Sequence, residues 1–516
     1  MRGIRVRFPP SPTGYLHIGG ARTALYNWLF AQKHSGCLVL RIEDTDVERS
    51  TTEAIREIVE GLEWMGISWD EGPYLQSDCI EEHRRVAKRL LVEGHAYRCF
   101  CTREMLEAKK EEATRLHRSY GYDGTCRAVP EEEAARAEKR GAPFVVRFKV
   151  PEGEGGVVYD DAVFGKERRF FNDMEDFVIL RSNGLPVYLL SNAVDDHRDC
   201  ITHVIRGQDH RANTPKQVLI YRALGWEVPQ FAHMSLTLDP KRRKISKRVH
   251  GEVVTVKYYR ERGFLPWAFC NFIALLGWSP GGDREIMSRE EMIQAFSLDR
   301  LSRVNSVFNY DPSDPRVIAD PKAISINAYY IRNMDLDDLL CYIEEELKKE
   351  GLWDHAYDKE RREWFRNTVD LIRIRYFTLK DFSTLGRPYF SDDYPMEEKA
   401  WEKNLCKDPN TAQWLSLLAE RLESLEPFTQ DSTERLIRDA IDGWDIKPGL
   451  LINAVRTTVT GQTVGPGLFD ILVALGKSRV VHRLRHVALE LKGRAQSHKH
   501  SGINAVEGVE GKEGPR

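Results

Sequence analysis

The chain reads as an α/β protein: a doubly wound parallel sheet, interrupted by an α+β insertion and followed by an all-α C-terminal region. Three observations predict this. Short apolar strands alternate with amphipathic helices through about residue 97. Between about 98 and 187, charged helical stretches lead into short strands. Beyond about residue 323 helical periodicity runs on and no β pattern persists.

The first element is the strand Arg5-Val6-Arg7-Phe8, followed by a proline-broken turn, Pro9-Pro10-Ser11-Pro12-Thr13-Gly14, and by Tyr15-Leu16-His17-Ile18-Gly19-Gly20. From Ala21 to about Lys33, Leu25, Trp28, Leu29 and Gln32 recur at helical spacing. Strand, rigid loop and glycine-rich helix start make the first half of a nucleotide-binding βαβ unit. Backbone N–H groups left unpaired at a helix start attract phosphate, and small residues let it approach. The loop is neither G-x-x-x-x-G-K-[ST] nor G-x-G-x-x-G. His17 stands where a lysine or bare glycine is usual; its imidazole could reach a phosphate oxygen or simply cap its own helix.

Gly36 ends that helix, and Cys37-Leu38-Val39-Leu40-Arg41-Ile42 reads as a buried parallel strand. Glu43-Asp44-Thr45-Asp46 then lies at the strand's carboxyl end, where doubly wound sheets bind ligands. Ser50-x-x-Glu53 forms a capping box for a helix marked by Ile55, Ile58, Val59, Leu62 and Met65.

In the insertion, helical patterns over 104–118 and 130–140 precede strands around Val145–Val150, Val157–Tyr159 and Phe177–Leu180, with a tight turn at Ser182-Asn183-Gly184. Cys99-x-Cys101 and Cys126 offer three thiolates, which make a tetrahedral zinc site if a fourth ligand joins them; three reduced core cysteines are the alternative. The chain then returns to the sheet. Tyr188, Asn192 and Asp195-Asp196-His197 precede a strand, Ile201 to Ile205, that ends in Arg206-Gly207-Gln208-Asp209-His210. Thr214-Pro215-Lys216 opens another helix. Asp195-Asp196-His197 reads as a capping and hydrogen-bonding group before a metal or acid–base cluster.

From 251 to about 308 the pattern is mostly helical, and 309–320, rich in proline and aspartate, reads as a linker. Helices over 336–347, 368–377 and 468–491 follow. Arg373-Ile374-Arg375-Tyr376 sets arginines beside an aromatic, a combination suited to unstacked RNA bases. Residues 495–516 carry too few apolar side chains to bury, which predicts disorder.

Ser11 to Gly20 resembles the first signature of class I aminoacyl-tRNA synthetases, in the form used by the glutamate and glutamine enzymes. Lys244-Ile245-Ser246-Lys247-Arg248, more than 200 residues downstream, resembles the second. The resemblance runs from about residue 4 to about 490, and in detail it is to the bacterial glutamyl-tRNA synthetases. It implies a Rossmann-type catalytic domain in two parts, 1–97 and 188–243, around an acceptor-end-binding insertion, 98–187. A stem-contact domain, 244–322, carries the lysine loop, and a helical anticodon-binding domain spans 323–494, with a tail at 495–516. The expected reaction joins L-glutamate to ATP as glutamyl-adenylate, then transfers it to the 3′ end of tRNA(Glu), with Mg²⁺ accompanying ATP.

The same resemblance assigns roles. His17, Lys244 and Lys247 become catalytic; Ser11, Pro12, Thr13, Gly14, Gly19, Gly20 and Ser246 join them around ATP. Arg7, Ser11, Glu43, Tyr188, Asn192 and Arg206 surround glutamate, with Arg7 and Arg206 on the γ-carboxylate and Glu43 on the α-ammonium. Arg375 matches the position that reads an anticodon pyrimidine. Zinc-bearing relatives share the three cysteines. Some add a histidine two residues past the third, where this chain has Ala128, whereas Tyr122 fits the tyrosine used by a close relative, with His117 a weaker substitute.

Bulk properties bound the reading. A chain of 516 residues makes several domains. It has no run of about 18 apolar residues that could span a membrane as a helix. A motif beginning by residue 5 leaves no room for a targeting peptide, and nine scattered cysteines suit a reducing compartment, so a cytoplasmic enzyme is expected. The net charge of −3 leaves RNA binding to local basic stretches: 241–248, 361–375 and 477–499. A monomer is the family expectation. The alternatives are a glutaminyl-type enzyme, a non-discriminating one that also charges tRNA(Gln), and a catalytically silent tRNA-binding protein.

Overall fold

The computed structural model describes residues 3–12, 14–45, 51–118, 120–310 and 318–503, with 495–503 as backbone only. The chain divides into two compact units, Met1–Ile326 and Asn327–Arg516.

The first unit opens with β1 (Arg5–Phe8), α1 (Ile18–Lys33), β2 (Cys37–Ile42), α2 (Thr52–Trp64), β3 (Glu71–Leu75) and α3 (Ile80–Val92). Next come β4 (Ala96–Cys99), α4 (Arg103–Arg115), α5 (Glu131–Lys139), β5 (Val145–Phe148), β6 (Gly156–Asp161), β7 (Gly165–Phe170) and β8 (Phe177–Leu180). Then follow α6 (Tyr188–Arg198), β9 (His203–Gly207), α7 (Thr214–Ala223) and β10 (Gln230–Met234). β1, β2 and β3 pair in parallel, as do β9 and β10. The two groups meet where Thr202 N–H donates to the Arg5 carbonyl at 2.9 Å and Arg5 N–H donates to Thr202 Oγ1 at 2.8 Å. The spatial order is thus β3-β2-β1-β9-β10. β1 and β9 flank the point where strand order reverses, and the carboxyl ends of strands at such a point open a crevice.

The insertion does not stand apart from this sheet. β6 extends the edge beyond β10, with Phe231 opposite Asp161 and Ala162 N–H donating to the Phe231 carbonyl at 2.8 Å; β7 then pairs antiparallel with β6. The strand read at Val157–Tyr159 within the insertion therefore joins the sheet of β9 and β10. β4, β5 and β8 make a separate antiparallel sheet.

The helix after β2 is capped by Thr51, whose side chain accepts from Ala54 N–H; Ser50, expected to form the capping box, lies outside the described residues. Behind the strands, Arg41 is fully buried and pairs with Asp196 at 2.7 Å and Asp199 at 2.8 Å. Asp195 takes His83 Nε2 at 2.8 Å, and His197 stacks on Trp226 with ring centroids 3.9 Å apart. The Asp195-Asp196-His197 run thus serves packing and buried ion pairing. A buried charge left without such a partner would cost several kcal/mol.

The second unit is helical throughout its described residues. Helices include Leu336–Lys349, Arg362–Arg373, Thr411–Glu423, Gln430–Gly443 and Pro448–Thr460. The span read as one helix over 468–491 is two, Leu468–Leu475 and Lys477–Ile503, broken at Gly476, whose φ of 82° a helix cannot hold. The last helix runs nine residues into the tail expected to be disordered, and 504–516 lie outside the described residues, as do 311–317 of the linker. Much of the basic stretch 477–499 is spent within the unit: Lys477 pairs with Glu426, Arg479 and Arg483 with Asp392, and Arg485 with Glu423. Among the described residues no helix is long and apolar enough to cross a membrane.

Candidate active site

A cavity of about 450 Å³ opens at the carboxyl ends of β1 and β9. His17, between the proline turn and α1, has extended backbone (φ −85°, ψ 149°) and is the N-cap of that helix. Its Nδ1 accepts the Gly19 N–H at 3.0 Å, so the ring proton sits on Nε2. Nε2 is buried and has no hydrogen-bond partner among the described residues. Burial, reinforced by Lys244 and His250, pushes the imidazole down to about 4, so it is neutral near pH 7. One nitrogen caps the helix, and the other, on a ring that lines the cavity, has no partner among the described residues.

The segment that follows the lysine loop is tied to the same place by backbone pairing. Val256 N–H donates to the Leu16 carbonyl at 2.9 Å and Thr255 bridges His17. Lys244 lines the cavity with Ser11, Gly14, His17, Gly19 and Gly20, and its ammonium pairs with Asp209 at 2.6 Å. Lys247 does not line it. Its ammonium is paired with Glu252 at 2.8 Å and lies 4.1 Å above the ring of Tyr15, which itself lines the cavity. Ser246 caps the short turn that begins at Lys247 and is likewise off the lining. Pro12 is buried behind the loop, and Thr13 lies outside the described residues.

The opposite wall carries Arg7, Glu43, Tyr188 and Arg206. Arg7 is buried; its Nε donates to Asp196 at 3.2 Å, whereas Nη1 and Nη2 are buried with no hydrogen-bond partner among the described residues. Such a vacant fork fits a carboxylate. Arg206 is engaged at all three nitrogens: Nε with His233 at 3.1 Å, Nη1 with the Tyr188 hydroxyl at 3.3 Å, and Nη2 with Thr214 Oγ1 at 2.7 Å. Glu43, at the end of β2, accepts from Asn192 Nδ2 at 2.7 Å. Burial pushes its carboxyl up to about 7, against the pull of Arg41 and Arg7. Asn192 is buried off the lining and acts on the cavity through Glu43.

Sequence reasoning missed Asp161 and His233, and it set the segments of Tyr15 and Asp209 at the site without giving either residue a role. Asp196 was noticed, but its partner was not. A lone histidine in a strand carries no local signal, and an aspartate's ion pair shows only when remote segments are brought together.

In the insertion, the Sγ atoms of Cys99, Cys101 and Cys126 lie within 4.8 Å of one another. The Tyr122 hydroxyl stands 3.2 Å from Cys99 Sγ and 3.9 Å from Cys101 Sγ, and Cys101 and Cys126 are 3.6 Å apart. Ligands about 2.3 Å from a tetrahedral zinc are separated by roughly 3.8 Å, so the three thiols could hold such an ion, with the Tyr122 hydroxyl beside them. His117 is not part of this cluster.

In the second unit, Arg375 is exposed just past the end of Arg362–Arg373. Tyr376, the aromatic read with these arginines as suited to unstacked RNA bases, is buried with its ring edge-on to Phe382 at 4.9 Å. The exposed aromatic next to Arg375 is Phe377, and Arg373 is tied to Asp370 and the Met334 carbonyl.

Residues 3–312 match the family described as tRNA synthetases class I (E and Q), catalytic domain, and residues 340–488 match an anticodon binding domain. The chain is 56% identical over 485 residues to a glutamate–tRNA ligase of Desulfotalea psychrophila, covering 94% of this chain and 99% of that one. It is 45% identical to glutamate–tRNA ligase 2 of Koribacter versatilis, covering 93% and 97%. Among solved structures it is similar to a glutamate tRNA ligase from Elizabethkingia meningosepticum, crystallised in complex with its amino acid, with a TM-score of 0.81, 31% identity and coverage of 95% and 100%.

Proposed function

This chain belongs to the class I tRNA synthetases for glutamate and glutamine, and we propose that it activates L-glutamate with ATP and transfers it to the 3′ end of tRNA(Glu). The observation that carries this reading is one cavity lined by His17, Lys244 and Arg7, with His17 Nε2 and the Arg7 Nη atoms lacking partners among the described residues.

The α-carboxylate of glutamate attacks the α-phosphorus of ATP and pyrophosphate leaves. The carboxylate is already nucleophilic, so no general base is needed. The barrier comes from negative charge gathering around a five-coordinate phosphorus, and positioned donors lower it. His17, being neutral, donates a hydrogen bond to the α- or β-phosphate side rather than a full charge. Lys244 holds the departing pyrophosphate, joined by Lys247 once its ammonium leaves Glu252 and Tyr15. Ser11, Pro12, Thr13, Gly14, Gly19, Gly20 and Ser246 shape the nucleotide's bed. Mg²⁺ bound with ATP supplies further charge neutralisation.

Arg7 and Arg206 take the γ-carboxylate, Glu43 the α-ammonium, and Tyr188 and Asn192 hold these groups in place. An uncharged glutamine side chain would leave the Arg7 fork desolvated and unpaired, which favours glutamate.

Residues 98–187 grip the acceptor end, 244–322 lean on the stem, and 323–494 read the anticodon through Arg375, with Phe377 offering the exposed ring for stacking. Cys99, Cys101, Tyr122 and Cys126 hold one structural zinc that orients the insertion. The enzyme works in the cytoplasm as a monomer.

The test is aminoacylation of purified glutamate and glutamine tRNAs in parallel, with ATP–pyrophosphate exchange measured in the presence of tRNA. Charging of tRNA(Glu) with glutamate is expected. Equal charging of tRNA(Gln) would make the enzyme non-discriminating, and tRNA binding without exchange would make it a silent binder.

A further inference from the structure

We propose that Asp161 and His233 are positioning residues for glutamate selection: they hold the Arg206 guanidinium in place and balance its charge through an imidazole rather than through a directly bonded carboxylate. The inference rests on the reading of Arg206 as a contact of the amino acid's γ-carboxylate.

Arg206, on β9, is 4% exposed, and no carboxylate bonds its guanidinium among the described residues. Its register partner on β10 is His233. Arg206 Nε can only donate, so His233 Nε2 must accept, and Thr214 Oγ1, 3.0 Å from the same nitrogen, is placed to donate to it as well. The ring proton is therefore on Nδ1, which donates to Asp161 Oδ2 at 2.5 Å. Burial holds His233 below its ordinary value, in keeping with a neutral ring. Asp161, the last residue of β6, is fixed in turn: its Oδ1 accepts the Val163 and Phe164 N–H groups at 2.9 Å each.

A buried arginine needs a negative partner, and a carboxylate bonded directly to it would fill the two-pronged face that a substrate carboxylate must use. A neutral histidine between the two resolves this conflict. Asp161 selects the tautomer, the tautomer accepts from Nε, and Nη1 and Nη2 keep only neutral partners, the Tyr188 hydroxyl and Thr214 Oγ1, which a substrate carboxylate can outcompete. Because β6 belongs to the inserted segment, a residue of the insertion helps shape the amino-acid pocket.

The experiment measures KM for glutamate, KM for ATP and kcat in aminoacylation, with melting temperatures, for Asp161→Asn, His233→Phe, His233→Gln and Arg206→Ala. The asparagine amide donates to Nδ1 and turns the ring proton toward Arg206, so KM for glutamate rises about 10- to 100-fold while KM for ATP holds within about twofold. His233→Phe does the same. His233→Gln, which keeps one acceptor and one donor, restores KM to within about threefold of the parent. The proposal is overturned if both Michaelis constants move together, or if His233→Gln behaves like His233→Phe. Should Asp161→Asn fail to fold, the His233 pair decides alone. If Arg206→Ala raises KM for glutamate but the other variants do not, only the positioning role falls. If Arg206→Ala leaves KM for glutamate unchanged, the assignment of Arg206 itself falls.

Discussion

His17 accepts the Gly19 N–H through Nδ1 at 3.0 Å and thereby keeps its proton on a buried, unpartnered Nε2. One ring ends the helix and serves the cavity, and the two duties can be separated by substitution.

Asparagine at position 17 retains the capping oxygen and lacks the Nε2–H. His17→Asn should melt near the parent temperature, while ATP–pyrophosphate exchange with tRNA present falls about 10²- to 10³-fold. His17→Ala should lose about 1 kcal/mol of stability as well. Parental exchange in His17→Asn would confine His17 to capping.

Glu43 makes glutamate binding pH-dependent. Its carboxyl, raised to about 7, must be ionised to receive an ammonium. KM for glutamate should therefore climb as pH falls through 7, approaching about tenfold per pH unit below it. The stability linkage has the opposite sense. A carboxyl raised in the folded state penalises folding progressively between its ordinary 4.5 and about 7, and fully above that. Glu43→Gln should flatten the Michaelis profile and be the more stable protein at pH 8 than the parent. Steady-state kinetics and melts across pH check both.

The Lys247–Glu252 pair is half exposed and worth less than about 1 kcal/mol. Glu252→Ala should leave the melting temperature alone and lower KM for ATP, because the ammonium no longer has to leave a partner. Lys247→Ala should slow adenylate formation by about 10²-fold or more with tRNA affinity little changed. Unchanged exchange kinetics in Lys247→Ala would remove it from the pyrophosphate role.

Metal analysis of the purified chain should find one zinc. Tyr122→Phe keeps the ring against which Arg147 packs, 3.7 Å from its centroid, and loses only the phenol oxygen. Zinc should then be released faster to a colorimetric chelator, by about tenfold or more. Release at the parental rate would place the fourth ligand elsewhere.

The elements that carry chemistry were legible because their signals are local. A strand closing on prolines, a histidine ahead of paired glycines and a lysine-rich turn each declare their backbone within ten residues. Two such segments together point to one nucleotide. The three cysteines were also readable as a group from their spacing, whereas Tyr122 was named only through resemblance to a relative. Less was readable where burial decides. Tyr376 and Phe377 are adjacent aromatics, and nothing local says that the first faces the core and the second the solvent.

The sequence by itself determined the alternation of strands and helices and the glycine-rich loop ahead of α1, which follow from backbone preference and short-range spacing; the residues assigned to the two substrates came from resemblance to a family. Only the tertiary structure decided who faces whom. It joined β6 to the catalytic sheet, gave Arg7 to Asp196, set His233 between Arg206 and Asp161, and turned Lys247 toward Glu252. Those pairings depend on strand register and on the burial of charge between segments far apart in the chain, where the cost of an unpaired ion selects one arrangement from many.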